Sequence, residues 1–231
     1  MTMDRPSAWL TGRVGSRHAA LLVTLLAMLA VYPFLGEHRG ARWVIDLVTL
    51  GVFVAAISAV VDTPRRRVVA WTLGVPAVAI SALSRSFAVV WAAPFADCAR
   101  TLFFGFLIVI IFTDILRRRE VATDAILGAC NVYILLGIAW GSLYALLEWA
   151  SPGAFSNSAA GQPLNEFDLV YFSLVDLTSI GFGDIVPVSP QARGLAALQG
   201  LVGQLYLAII IARLVGLDIA NRVNRGANVA E

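Results

Sequence analysis

Lysine is absent from this sequence: all 17 basic side chains are arginine, set against 15 carboxylates. The net charge of +2 gives no basic field for a polyanion, so nucleic acid is not an expected partner. Histidine and cysteine are scarce, at two each. His18 and His38 stand at opposite ends of one apolar block, where they read as interfacial polar residues. No histidine-based catalytic group or metal cluster assembles from them, and an enzyme is not expected. Cys98 and Cys130 lack metal-ligand spacing and lie in or beside apolar blocks, which predicts buried thiols rather than a disulfide framework.

What fills the chain instead is apolar. Hydrophobic residues make up 59% of it and the mean hydropathy is +0.80, against about 45–50% apolar in a soluble domain. The surplus is gathered into six blocks, 19–35, 43–61, 68–83, 101–116, 125–149 and 192–217. Blocks of this length suit an apolar bilayer core about 30 Å thick, so each is expected to be a membrane-spanning helix. Arg5, Arg13 and Arg17 ahead of the first block resemble a signal peptide. No small-residue cleavage site follows, and retention as a first helix is expected. The piece 84–97 either prolongs the third span or lies at the interface.

Arginine placement sets the orientation. With the N-terminus inside, the inner segments hold Arg5, Arg13, Arg17, Arg65, Arg66, Arg67, Arg117, Arg118, Arg119, Arg222 and Arg225. The outer ones hold only Arg39, Arg42, Arg85, Arg100 and Arg193. Both termini are therefore expected in the cytoplasm. Arginine without lysine, with abundant alanine and valine, suggests a bacterial gene of high GC content and hence a bacterial plasma membrane.

The last connection, 151–191, differs from the others. A Ser/Gly/Ala/Pro-rich loop leads into a short apolar helical stretch, 166–178, too short to cross. It must dip in and return, which membrane-depth backbone does only where protein buries it or water reaches it. In the stretch that follows, Gly181 and Gly183 alternate with Ile180 and Phe182. Glycine reaches backbone angles other residues avoid, so such a strand can aim successive carbonyls to one side. Four strands around an axis would stack oxygen rings able to replace the water shell of a potassium ion.

Thr178-Ser179-Ile180-Gly181-Phe182-Gly183-Asp184 closely resembles the Thr-Thr-Val-Gly-Tyr-Gly-Asp signature of potassium channels, and the resemblance extends over a helix–filter–helix unit at about 125–217. Tyr171 and Phe172 stand where that family has an aromatic pair, Asp184 where it has the acid after the filter, and Pro187 at the expected distance. Gly203 lies where many members have a hinge glycine. The resemblance implies an all-α homotetramer, potassium bound by the carbonyls of Ser179, Ile180, Gly181 and Phe182 with the Ser179 hydroxyl, and Gly183 closing the filter. Thr178 and Asp176 would support it from behind. Phe182 replaces the more frequent tyrosine, whose hydroxyl can tie the filter to the pore helix. Asp176 replaces a common threonine and would brace the filter or tune its charge.

Asn165 with Asp168 three residues on predicts a capping box, and Glu166 and Asp168 place acid at the positive end of the helix dipole. In the last helix Gln204, Leu207 and Ile211 recur at helical spacing and are the expected pore-facing stripe, Gln204 a polar ring and Leu207 or Ile211 a hydrophobic constriction. Arg213 interrupts an apolar run, with snorkelling to the boundary expected and Asp218 or Asp114 as alternative partners.

The domain reading is a cytoplasmic segment 1–18, a four-helix membrane unit 19–120 in the position of a voltage sensor, a pore unit 121–221, and a short cytoplasmic tail 222–231. A sensor needs several arginines on one helix, since a field of 100 mV does about 2.3 kcal/mol of work per charge moved. The fourth block has no such repeat, so voltage dependence is expected to be weak; Arg117 to Arg119 read as an anchor to anionic lipid headgroups. No cofactor is expected beyond the permeating ion. The competing readings are a nonselective cation channel and a potassium-uptake transporter subunit. Transporters of that kind repeat the pore unit within one chain, and here it occurs once.

Overall fold

The computed structural model describes residues 15–35, 42–60, 63–86, 92–117, 123–157 and 164–229. Seven helices occupy these residues: α1 (Gly15–Leu35), α2 (Arg42–Val60), α3 (Pro64–Ser86), α4 (Ala93–Arg117), α5 (Thr123–Ala150), α6 (Glu166–Leu177) and α7 (Pro190–Val229). Each of the six apolar blocks is a helix, and α6 is the short stretch between the last two. Among the described residues, α4, α5 and the Pro190–Ala220 part of α7 are long and apolar enough to cross a membrane. In α1 and α2 the apolar stretches are shorter, His18–Val31 and Thr49–Ser58.

Several boundaries differ from expectation. The piece 84–97 neither prolongs the third helix as a unit nor lies apart from helices. Its first residues end α3, its last ones open α4 at Ala93, and 87–91 lie outside the described residues. Pro94 explains the early start, since proline is favoured in the first turn, where its missing N–H has no partner to lose. Pro76 sits inside α3 without ending it, and among the described residues α3 is not one of the helices long and apolar enough to cross. The last helix runs on through the expected tail to Val229. The N-terminal segment 1–14 and Arg118, Arg119 and His38 lie outside the described residues.

One strand pair was not anticipated. β1 (Phe155–Asn157) and β2 (Ile185–Pro187) pair antiparallel, with Ser156 opposite Val186. Segments of three residues are too short to show alternation. The ladder ties the chain leaving the glycine strand to the loop after α5, and Val188 N–H adds a bond to Ala154 O at 2.8 Å.

α4 and α5 pack along each other, α1 packs on α2 and α5, and α3 on α4. Phe53, Phe103 and Phe104 cluster at the centre, Phe53 and Phe103 stacked at 4.5 Å between ring centroids. A second core surrounds buried Tyr144, whose ring lies 5.1 Å from Phe155 and 5.3 Å from Phe172. α6 presses onto α5 where Gly141 leaves room: a Cβ there would stand 2.7 Å from Val170 Cα. Both cysteines are exposed on the protomer, against the expectation of burial. On a membrane helix an outward thiol meets lipid or a neighbour, where a small apolar group is at home.

Candidate functional site: the α6–α7 re-entrant segment

The site begins at the start of α6. Asn165 Oδ1 accepts the N–H groups of Phe167 and Asp168 at 2.8 and 3.0 Å, and Asp168 Oδ2 accepts Asn165 N–H at 2.8 Å, completing the predicted capping box. From there α6 descends against α5. Ser173 Oγ donates to Gly137 O at 2.6 Å, and Gln199 Nε2 on α7 donates to Ser173 O and Oγ at 3.0 and 2.7 Å. Tyr144 O–H donates in turn to Gln199 Oε1 at 2.5 Å. These three buried polar side chains satisfy one another and bind α5, α6 and α7 into one unit.

At its lower end α6 turns directly into the glycine strand. Ser179 N–H donates to Asp176 O at 2.9 Å and Ile180 N–H to Val175 O at 3.0 Å. With Ser179 at φ +57°, this is a Schellman cap whose left-handed position carries serine instead of the usual glycine. Such a serine costs on the order of 1 kcal/mol. Gln204 Nε2 donates to its Oγ at 2.8 Å and helps hold it. Gly181 and Gly183 follow at φ +61° and +78°, with Ile180 and Phe182 between them outside the left-handed region. Glycine takes such angles without steric cost, and Ser179 takes the same hand.

The strand is held on its outer side. Tyr171 O–H donates to Asp184 Oδ2 at 2.9 Å, and the Tyr171 ring lies parallel to Phe182, centroids 6.5 Å apart and planes 3° off. The tie between strand and helix that Phe182 cannot make is made by Tyr171 one layer behind. Phe172 is buried in the Tyr144 cluster, and Thr178 Oγ1 caps α6 through Leu174 O at 2.7 Å. Asp176 braces the strand through its main-chain carbonyl only: among the described residues its buried Oδ2 has no hydrogen-bond partner.

Ile180 and Phe182 are 58% and 67% exposed on the protomer, while residues on either side, Leu177 and Ile185, are buried. α7 packs closely behind the strand. A Cβ on Gly203 would stand 2.7 Å from Leu177 O, the same carbonyl that accepts Tyr133 O–H at 2.9 Å. Below it Gln204 and Ile211 are exposed, whereas Leu207 is half-buried and packs in part on the protomer's own core. Ala208 and Val215, at the same helical spacing from Gln204 and Ile211, are exposed as well.

Three charged residues take places the sequence did not reveal. Arg100 is buried and donates to Asp97 on its own helix and to Glu166 at the start of α6. Arg213 donates to the carbonyls of Ile115 and Leu116 at the end of α4. Asp114, considered as an Arg213 partner, is engaged by Arg66 through two bonds of 2.7 and 3.0 Å. An ion pair between residues 48 or 66 positions apart leaves no local pattern to find.

Residues 132–217 match the family model described as "Ion channel", a stretch running from within α5 through α6 and the strand to α7. No curated protein matches the chain. The match supports an ion channel.

Proposed function

We propose that this chain is one subunit of a homotetrameric potassium channel that conducts passively through a filter formed by Ser179 to Gly183. The observation that carries the reading is the left-handed alternation at Ser179, Gly181 and Gly183 on a strand left exposed by its own protomer. One copy supplies one face of carbonyls; a dehydrated cation needs a ring of them. The exposed apolar side chains of Ile180 and Phe182 favour the same assembly, because neighbouring copies would cover them.

The remaining parts fit this reading. The carbonyl end of α6 sits at the strand, where its dipole favours a cation. Six helices span the membrane with both termini in the cytoplasm, and α1 to α4 do not act as a voltage sensor. Arg100, at the outer end of α4, is neutralised by Asp97 and Glu166 and has little freedom to move in a field. The arginine distribution and the chain's composition favour a bacterial plasma membrane.

The test is potassium efflux from liposomes carrying the purified chain. Wild type releases potassium down its gradient, and Gly181→Ala, inserted and assembled as wild type, does not. Efflux through Gly181→Ala at the wild-type rate would remove the filter assignment.

A further inference from the structure

α4 lies outside the matched pore stretch, yet it makes polar contact with that stretch at both of its ends. At the outer end the buried Arg100 guanidinium reaches across to Glu166, the first residue of α6. At the inner end Arg213, on α7, donates to the carbonyls of Ile115 and Leu116, acceptors that a helix terminus leaves without internal partners. The two contacts are 16 residues apart along one continuous helix, about 24 Å. A helix that long is stiff compared with a loop. Its outer attachment is to the helix that carries the filter, and its inner attachment is to the helix that lines the pore.

We propose that α4 is a positioning strut that links the inner helix to the filter: Arg100 holds the pore helix at Glu166, Arg213 holds the inner helix to the other end of α4, and a shift at either end is carried to the other. This rests on the channel reading above and gives the four-helix unit a role that needs no moving charge. Asp97 has a defined part. It keeps Arg100 paired and in place whether or not Glu166 is engaged, so the link to α6 can break without stranding a buried charge. Glu166, 42% exposed at its side chain, also remains favourable at a helix N-terminus when released. The contact with the pore helix is thus the detachable one.

Glu166→Gln detaches α6 and leaves the Arg100–Asp97 pair intact, so it is the variant least prone to misfolding; Arg213→Gln detaches the inner end. Full-length wild type, both single variants and the double variant are reconstituted in liposomes, and sodium-to-potassium permeability and the decay of potassium flux at low external potassium are measured. Either single variant is expected to hasten decay about tenfold, as for one lost charge-assisted hydrogen bond. The double variant is expected to match the singles rather than multiply them, because the strut is already cut. A merely structural role would lower yield or melting temperature without changing ion preference or time course. Wild-type kinetics in Glu166→Gln, or effects of the two variants that multiply, would overturn the proposal. A wild-type protein with no potassium flux would instead remove the channel reading beneath it.

Discussion

The Gln204 carboxamide on α7 donates to the Ser179 hydroxyl at 2.8 Å, joining α7 to the first residue of the glycine strand. Because Ser179 adopts a left-handed backbone that serine does not favour, the bond does two things at once. It steadies the strand's first residue, and on the proposed reading it sets a polar group at the inner end of the filter. Gln204→Leu is expected to lower single-channel potassium conductance about fivefold, the equivalent of about 1 kcal/mol. An unchanged current amplitude would place Gln204 away from the ion path.

Tyr171→Phe separates two contributions to filter stability. The ring stacked on Phe182 stays, and the bond to Asp184 goes. A hydrogen bond to a charged group contributes about 1.5–3 kcal/mol, so the variant should admit sodium measurably while insertion and assembly stay normal. Reversal potentials check this, and a wild-type sodium permeability would show that stacking alone suffices.

Gly203 and Gly200 make opposite predictions on one helix. A Cβ on Gly203 would meet the Leu177 carbonyl at 2.7 Å, whereas one on Gly200 has nothing of the protomer within 4 Å. Gly203→Ala should destabilise the protein by about 1–3 kcal/mol through overpacking against backbone, and Gly200→Ala should do so far less. Thermal unfolding followed by gel migration compares them. Equal melting would leave Gly203 with no packing role and favour its reading as a hinge alone.

Gln199→Met removes the centre of the Tyr144–Gln199–Ser173 chain. The Tyr144 hydroxyl loses its acceptor in a buried setting, at about 1–3 kcal/mol for a group left unsatisfied, and α6 loses both side-chain bonds that tie Ser173 to α7. Tyr144→Phe strands only Gln199 Oε1 and should cost less. The order of the two melting temperatures is the check.

Much of this architecture is legible in the sequence because membrane helices announce themselves locally. The runs 125–149 and 192–217 lie within α5 and α7, whose starts at Thr123 and Pro190 come just ahead of them, and Asn165 with Asp168 forms the capping box their spacing implies. The glycine alternation was readable for the same reason: it is a statement about backbone angles at neighbouring positions. What escaped was non-local or dependent on facing. Arg100 reads as a boundary charge, yet it reaches Glu166 on α6, 66 positions away; Arg213 reaches carbonyls at the end of α4; and Leu207 is half-buried on the protomer. Cys98 and Cys130 were misplaced because an apolar block in a bilayer has an outward face as apolar as its core.

On the proposed reading, main-chain oxygens of Ser179 to Gly183, contributed by four copies, select potassium by standing in for its water. Reversal potentials recorded across a bilayer with potassium on one side and sodium on the other test it most directly. A value close to the potassium equilibrium potential, lost in Gly181→Ala, is the predicted result. A reversal near zero, with the two cations carrying comparable current, would contradict it.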